Sequence, residues 1–486
     1  MPRLKPLSRA QIVAGLLLLL TALVRVAWLT RFPLNPTGSA DAEGYHLIAR
    51  NLLAGEGFAL TWEAPFCPTV IRTPLYPLFL AGVYGALGLD PARAVLGQVL
   101  LEVVTTALVI RLGRETGGRR VGMWAGLLYA LNGTTQRYTG HLLTETLLLP
   151  VLTAALWATA RALRPSQRRA FALAAGALWG LATLTKPNVQ YLALAGGLLV
   201  AVAPLFRASR FTVYVSRALL FVLGLLIVML PWLIRNRRVL NRWLLSTAFE
   251  ENLARVSAVS ALAETRGLRL YPWTPPWEAI YGELVHEAAL RYDWGGRAGE
   301  RDACAEERQR HRDVAVIARE VVRADPLPAI RAHLRGVGRS LLDPGHRTWY
   351  PTLTGRLWET TGVVTNVWRR MGESLRIGAV GDALHAFWLE RVARPPWDAA
   401  LVWWGLLAAR VAIWAVALRG GRRLLQRRLP LALLLAGSVA YVVLLPGPIA
   451  HDRFYLPAIP VVVILVAIGL TKNRQARKPR AQTRTG

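Results

Sequence analysis

The stretch GSADAEGYHL, residues 38–47, sets two carboxylates, Asp41 and Glu43, two positions apart just after a long apolar run. That run, Ile12 to Leu29, is close to the length of about 20 residues that a helix needs to cross a bilayer. Acid at this boundary opens either an ordinary surface helix or a chemical site at a membrane edge. How the stretch is read decides how the rest of the chain is threaded.

The chain has 486 residues, 53% of them hydrophobic, with a mean hydropathy of +0.33. That is too apolar for an ordinary soluble globule, and further runs of membrane-spanning length recur. The first run has a short basic flank and no small-residue cleavage pattern, so it reads as a retained helix. The net charge of +30 is dealt out in short clusters between apolar runs. A nucleic-acid binder gathers its charge on one face or tail, so this pattern argues against nucleic acid. It is the distribution of a polytopic membrane protein with basic inner loops. Cys67 and Cys304 lack metal-type spacing; they are able to pair outside the cytoplasm, but nothing in the sequence requires it.

Ten crossings are expected: Ala10–Thr30, Ala92–Leu112, Arg120–Leu131, Leu142–Ala162, Ala170–Leu184, Val189–Leu205, Arg217–Ile234, Ala400–Leu418, Leu429–Leu445 and Tyr455–Leu470. With both termini cytoplasmic, the inner segments 1–10, 111–120, 161–170, 205–217, 419–428 and 471–486 hold 25 Lys and Arg, and their only acid is Glu115. Six short segments agreeing in sign fix the expected orientation. Pro74–Leu89 is apolar but short of the hydrocarbon thickness, and counting it would invert every later segment. It reads as an interfacial or re-entrant helix. The expected fold is an all-α polytopic membrane protein. Residues 1–245 form a transmembrane module with its first outer loop at 31–91, and 246–398 a mostly helical outer domain. Residues 399–470 are the last three crossings and 471–486 a basic cytoplasmic tail. An amphipathic helical pattern is expected near 312–341, after a mixed-charge stretch at 299–313. GMWAG (122–126) and GALWG (176–180) are weak helix-packing signals.

Every unusual charge near the membrane then falls on the outer side. Asp41, Glu43 and Arg72 lie in the first outer loop. His141 and Glu145 open the fourth crossing, and Lys186 lies in the turn after the fifth. Arg235, Arg237, Arg238 and Arg242 follow the seventh, and His451, Asp452 and Arg453 precede the last. Asp41 is either a helix N-cap for Ala42–Ala54, which Gly55 would stop, or a general base. Glu43 suits a first helical turn, and so does Glu145, with Thr144 as its cap. His141 and Glu145, four apart on one face, either pair or contribute to a metal site. The outer arginines either snorkel or meet an anion, a lipid head group or a reacting phosphate. The aromatic stretch YPWTPPWEAIY (271–281) reads as an interfacial belt before a sugar platform.

DAEGYHLIARNLLAGEGF with RTPLYPLFLAGVYGALG resembles the first outer loop of GT-C glycosyltransferases of the protein O-mannosyltransferase and aminoarabinose-transferase type, in particular the bacterial RgtA/B/C/D-like branch. HLLTETLLLP (141–150), LTKPNVQYLAL (184–194), LPWLIRNRRVLNRWLLST (230–247) and HDRFYLPAIPVVVILVA (451–467) fit the same family in order. The resemblance implies Asp41 as catalytic base, Glu43 and Glu145 as candidate second acids, and Arg72, Lys186, Arg235, Arg238 and Arg453 as candidate ligands of the donor phosphate. His46, Tyr76, His141 and Asn188 are candidate sugar or acceptor contacts. The chain departs from the family in spacing its first acids as Asp-Ala-Glu and in carrying His141.

The implied activity is inverting transfer of a sugar from a polyprenyl-phosphate donor to a hydroxyl of a protein, glycan or lipid acceptor. It would take place on the extracytoplasmic face of the cell (inner) membrane. No cofactor is firmly called for, a divalent metal stays open, and no nucleic acid is involved. The alternatives are a transporter or flippase of a lipid-linked sugar, or a lipid-linked glycan ligase. Transport folds usually show repeats and charges near the bilayer midplane, whereas this chain clusters its charges at one surface and carries a large one-sided outer domain.

Overall fold

The computed structural model describes residues 8–32, 35–164, 166–202, 211–268, 273–296, 302–343, 345–355, 374, 378–389 and 396–471. The basic tail beyond 471, the segment 203–210 at the end of the sixth expected crossing, and residues 271–272 and 299–301 lie outside them.

The regular elements of the described residues are almost all helical. Helix α1 is Arg9–Arg31, α2 Ala40–Ala54, α3 Leu75–Leu87, α4 Pro91–Gly117, α5 Arg119–Ala130 and α6 Gly133–Thr139. There follow α7 Thr144–Ala162, α8 Ala170–Thr185, α9 Gln190–Val202 and α10 Phe211–Leu240. Between α10 and the closing helices lie α11 Ala248–Asn252, α12 Val259–Thr265, α13 Pro275–Arg291, α14 Ala303–Ala324, α15 Pro326–Leu342, α16 His346–Thr354 and α17 Val380–Trp388. The chain closes with α18 Trp397–Leu425, α19 Leu429–Leu444, the short α20 Asp452–Tyr455 and α21 Ile459–Leu470.

Among the described residues, five helical stretches are long and apolar enough to cross a membrane: α1, α4, Val215–Leu240 of α10, α18 and the α20–α21 run Asp452–Leu470. The protein is thus a multi-pass membrane protein, but five of the ten expected crossings do not meet that measure. α5 has 12 residues, about 18 Å of helix, because Asn132 starts a new helix by accepting from the Thr135 amide. α8, α9 and α19 have 16, 13 and 16 residues. α7 has 19 and carries Glu145, four threonines and Pro150. Helix α3, 13 residues, spans about 20 Å and packs its Tyr76, Pro77, Leu80 and Tyr84 inward.

Glycines let the helices meet. A β-carbon on Gly176 of α8 would lie 1.9 Å from the Phe221 carbonyl oxygen of α10, and one on Gly122 of α5 would lie 2.6 Å from that of Ile110 on α4. Both packing signals in the sequence therefore fall at helix crossings. The last helix is central: 83% of its spanning window is buried, against 11% for α18. Whatever stands at the head of α21 is consequently carried into the bundle.

The bundle has two chemically different ends. At one, Glu115 of α4 meets Arg161 and Arg164 at 3.3 and 2.8 Å, and Arg428 donates to its carbonyl. Arg217 donates to the carbonyls of Ala162, Arg164 and Gln167 at the same end. α7 runs from there to Glu145, and α8 runs from there to Lys186. The basic connections thus gather opposite the acids of the opening stretch.

Helices α12, α13 and α14 pack a core of their own around Trp277, Ile280, Leu284, Val314 and Ile317. Trp277 is part of that core and donates to the Arg255 carbonyl, so it forms neither an interfacial belt nor a sugar platform; Trp273 is exposed. The pattern at 312–341 is two helices, parted where Asp325 caps α15 and Pro326 takes its first position. Cys67 and Cys304 form a disulfide that ties the connection between α2 and α3 to α14.

Candidate active site

Asp41 stands in the first turn of α2, and it does not cap that helix. Ser39 does, accepting from the Ala42 amide at 3.3 Å, and Gly55 closes the helix with a positive φ of 82°. The capping role expected for Asp41 is therefore taken, and its carboxylate turns to the bundle. Oδ1 accepts from Arg72 Nη2 at 2.5 Å and Oδ2 from Arg453 Nη1 at 2.8 Å. Arg453 also donates from Nε to Glu145 Oε1 at 2.9 Å, and Lys186 Nζ reaches the same oxygen at 2.8 Å. Thr144 donates its hydroxyl to Glu145 Oε2 at 3.2 Å and does not cap α7.

Residues 41, 72, 145, 186 and 453 thus form one chain of charges, Arg72–Asp41–Arg453–Glu145–Lys186. Three cations face two carboxylates, so the cluster carries one uncompensated positive charge. It is graded in depth. The Asp41 side chain is 32% exposed, whereas Glu145 is fully buried. Burial works to raise the Asp41 pKa, but the adjacent Arg72 and Arg453 outweigh it and hold the carboxyl down at about 2. Arg72 keeps one buried donor, Nε, without a hydrogen-bond partner among the described residues.

The framework fixes each participant. The backbone before Arg72 is held at three points: Arg235 donates to the Thr69 carbonyl at 2.8 Å, the Thr247 amide to Val70 at 3.1 Å and the Ser246 hydroxyl to Ile71 at 2.5 Å. The Arg72 guanidinium lies over the Tyr45 ring, 5.1 Å from its centroid. Gln98 of α4 accepts from Tyr76 at 2.7 Å and Thr146 at 2.5 Å, and donates to the carbonyls of Thr139 and His141, which sets the start of α7. Beside Arg453, Asp452 accepts from Tyr138 at 2.7 Å and lies 3.7 Å from Arg137.

The other candidates are not links in this chain of charges. Glu43 is exposed, on another side of α2. Arg235 serves the loop and stacks on Phe58 and Trp232, 5.4 and 4.7 Å from their centroids. Arg238 is exposed on α10. His46 pairs with the Tyr84 hydroxyl at 2.9 Å, and burial together with Arg50 depresses its pKa. Tyr76 is buried on Gln98. His141 precedes α7 and is not helical, so the expected i,i+4 face with Glu145 does not form. Asn188 accepts at its carbonyl from Tyr441. No group of three or more His, Cys, Asp or Glu gathers for a metal among the described residues. Tyr45, Tyr138 and Gln98 escaped the sequence reading; Tyr45, one turn on from Asp41, was the one with a detectable signal.

Residues 71–234 match the family described as dolichyl-phosphate-mannose-protein mannosyltransferase. The matched segment carries Arg72, Glu145 and Lys186; Asp41 and Arg453 lie on either side of it. No curated protein matches the sequence significantly. Among solved structures, the chain is similar to the apo oligosaccharyltransferase of Archaeoglobus fulgidus, at 15% identity and a TM-score of 0.50, over 94% of this chain and 50% of that one. ArnT from Cupriavidus metallidurans, bound to undecaprenyl phosphate, aligns at 16% identity and a TM-score of 0.39, over 94% and 77%. The chain spans half the length of the oligosaccharyltransferase. Residues 71–234 therefore bear the sequence signature of the dolichyl-phosphate-mannose-protein mannosyltransferases, set in a helical frame shared with the archaeal oligosaccharyltransferase.

Proposed function

We propose that this chain is a GT-C membrane glycosyltransferase that moves a sugar from a polyprenyl-phosphate donor to an acceptor hydroxyl. The observation that carries the reading is the charge chain: a carboxylate about one-third exposed, braced by cations that outnumber the acids, at the end of the bundle opposite its basic connections. The family match over residues 71–234 supports the donor class. The RgtA/B/C/D-like branch, the extracytoplasmic face and the cytoplasmic termini belong to the same proposal. The Cys67–Cys304 disulfide supports the face, since disulfides persist in oxidising compartments.

In this reading the acceptor oxygen attacks the anomeric carbon as its proton passes to Asp41. The bond from that carbon to the phosphate oxygen breaks, and its electron pair leaves with the phosphate. A phosphodiester monoanion becomes a phosphate monoester, with one more negative charge for Arg72, Arg453 and Lys186 to stabilise. A single displacement inverts the anomeric centre. The lipid tail stays in the bilayer, so the reacting phosphate has to sit at its rim. The test supplies membranes containing the protein with polyprenyl-phosphate-linked sugars and measures free polyprenyl phosphate. Release marks transfer. Intact donor moved to the other leaflet, with none released, would mark a flippase and end the reading.

A further inference from the structure

In the described structure both oxygens of Asp41 are occupied by the two guanidiniums that the donor phosphate would need. A carboxylate locked this way is a weak base, and arginines locked this way are poorly available to phosphate. Glu145 differs: it is fully buried and holds Arg453 through Nε, leaving Nη1 to Asp41. Arg453 can therefore give up Asp41 without losing its anchor. Arg72 is stacked on Tyr45 and has Nε to spare.

We propose that the donor phosphate displaces Asp41 from Arg72 and Arg453, so that the base is unmasked only when donor is bound. This rests on the transferase reading above. The lipid phosphate and the Asp41 carboxylate become competing counter-ions for one pair of cations, and Glu145 is the fixed positioning residue that keeps the pair in place. The exchange also orders the end of the cycle. Having taken the acceptor's proton, Asp41 is neutral and has no charge with which to reclaim the arginines. Product phosphate stays until that proton reaches solvent; Asp41 then recaptures both guanidiniums and expels it.

The competition has a signature that a plain binding role for Asp41 would not give. Undecaprenyl phosphate is titrated into the purified full chain in lipid nanodiscs, for wild type, Asp41→Asn and Asp41→Ala. Both variants are expected to bind it about five- to tenfold more tightly than wild type, since each frees two charge-assisted bonds. Arg453→Gln is expected to bind it at least as much more weakly. Unchanged or weaker binding by the two Asp41 variants, both folded at the temperature of the titration, overturns the exchange and leaves the transferase reading standing. Failure of wild type itself to bind the lipid phosphate sinks the transferase reading, and the exchange with it.

Discussion

Two ion networks in this molecule use the same residue types to opposite ends. Inside the bundle, Arg25 of α1 and Glu102 of α4 are both fully buried and 2.9 Å apart. Arg25 also donates to Thr135 Oγ1 at 2.7 Å and to the carbonyls of Tyr129 and Ala130, and Tyr129 donates to Glu102 at 3.1 Å. One cation meets one anion and every donor nitrogen of Arg25 has a partner. At the rim, three cations meet two anions, exposure rises toward Asp41, and one Arg72 nitrogen is unused. A balanced, closed network joins helices. An unbalanced, open one keeps a place for another anion.

The comparison breaks first at its buried side. Arg25→Leu leaves Glu102 without its counter-ion inside the bundle and is expected to cost about 3–5 kcal/mol of stability. A thermal midpoint in detergent within a degree of wild type would show that the pair does not hold α1 to α4. Next comes the rim. Arg453→Gln is expected to keep the wild-type elution profile while lowering donor turnover about 100-fold or more, through lost stabilisation of the leaving phosphate. A variant that misfolds instead would make the rim cluster a second structural joint.

Acid titration sharpens the contrast further. The folded Asp41 carboxyl is held at about 2, below its ordinary value of 3.8. Its contribution to stability is therefore complete above about pH 4 and fades as pH falls through 2. The midpoint difference between wild type and Asp41→Asn should stay constant from pH 7 to about 4 and shrink below. A difference that fades already near pH 6 would mean Asp41 is not paired with both arginines. The smallest effect is expected at Glu43, exposed on α2. Glu43→Gln should leave turnover within about twofold of wild type, as surface changes usually do; a large loss would return it to the chemistry.

Much of the rim was legible in the sequence because charge next to apolar runs is conspicuous. Asp41, Arg72, Glu145, Lys186 and Arg453 were all on the candidate roster, though 412 positions separate the first from the last. Their sorting was not legible. Arg235 carries the same charge, yet it donates to the Thr69 carbonyl and lies over the Phe58 and Trp232 rings, contacts that charge spacing along the sequence does not reveal. Ser39 took the cap from Asp41, a choice between neighbours that spacing alone does not resolve. The buried pair did leave a sign, an arginine and a glutamate inside apolar helices, which the threading passed over. Helix ends were not legible either, since hydropathy does not reveal that Asn132 divides α5 from α6. The Cys67–Cys304 link depends on a fold that brings together positions 237 residues apart, and no local pattern encodes that.

The most direct test of the rim as the seat of transfer is free polyprenyl phosphate released from a polyprenyl-phosphate-linked sugar in native membranes, compared between wild type and Asp41→Asn at equal protein. Release by wild type, reduced about 10²- to 10⁴-fold in a variant that remains folded at the assay temperature, is the predicted result. Equal release by the two proteins would contradict it.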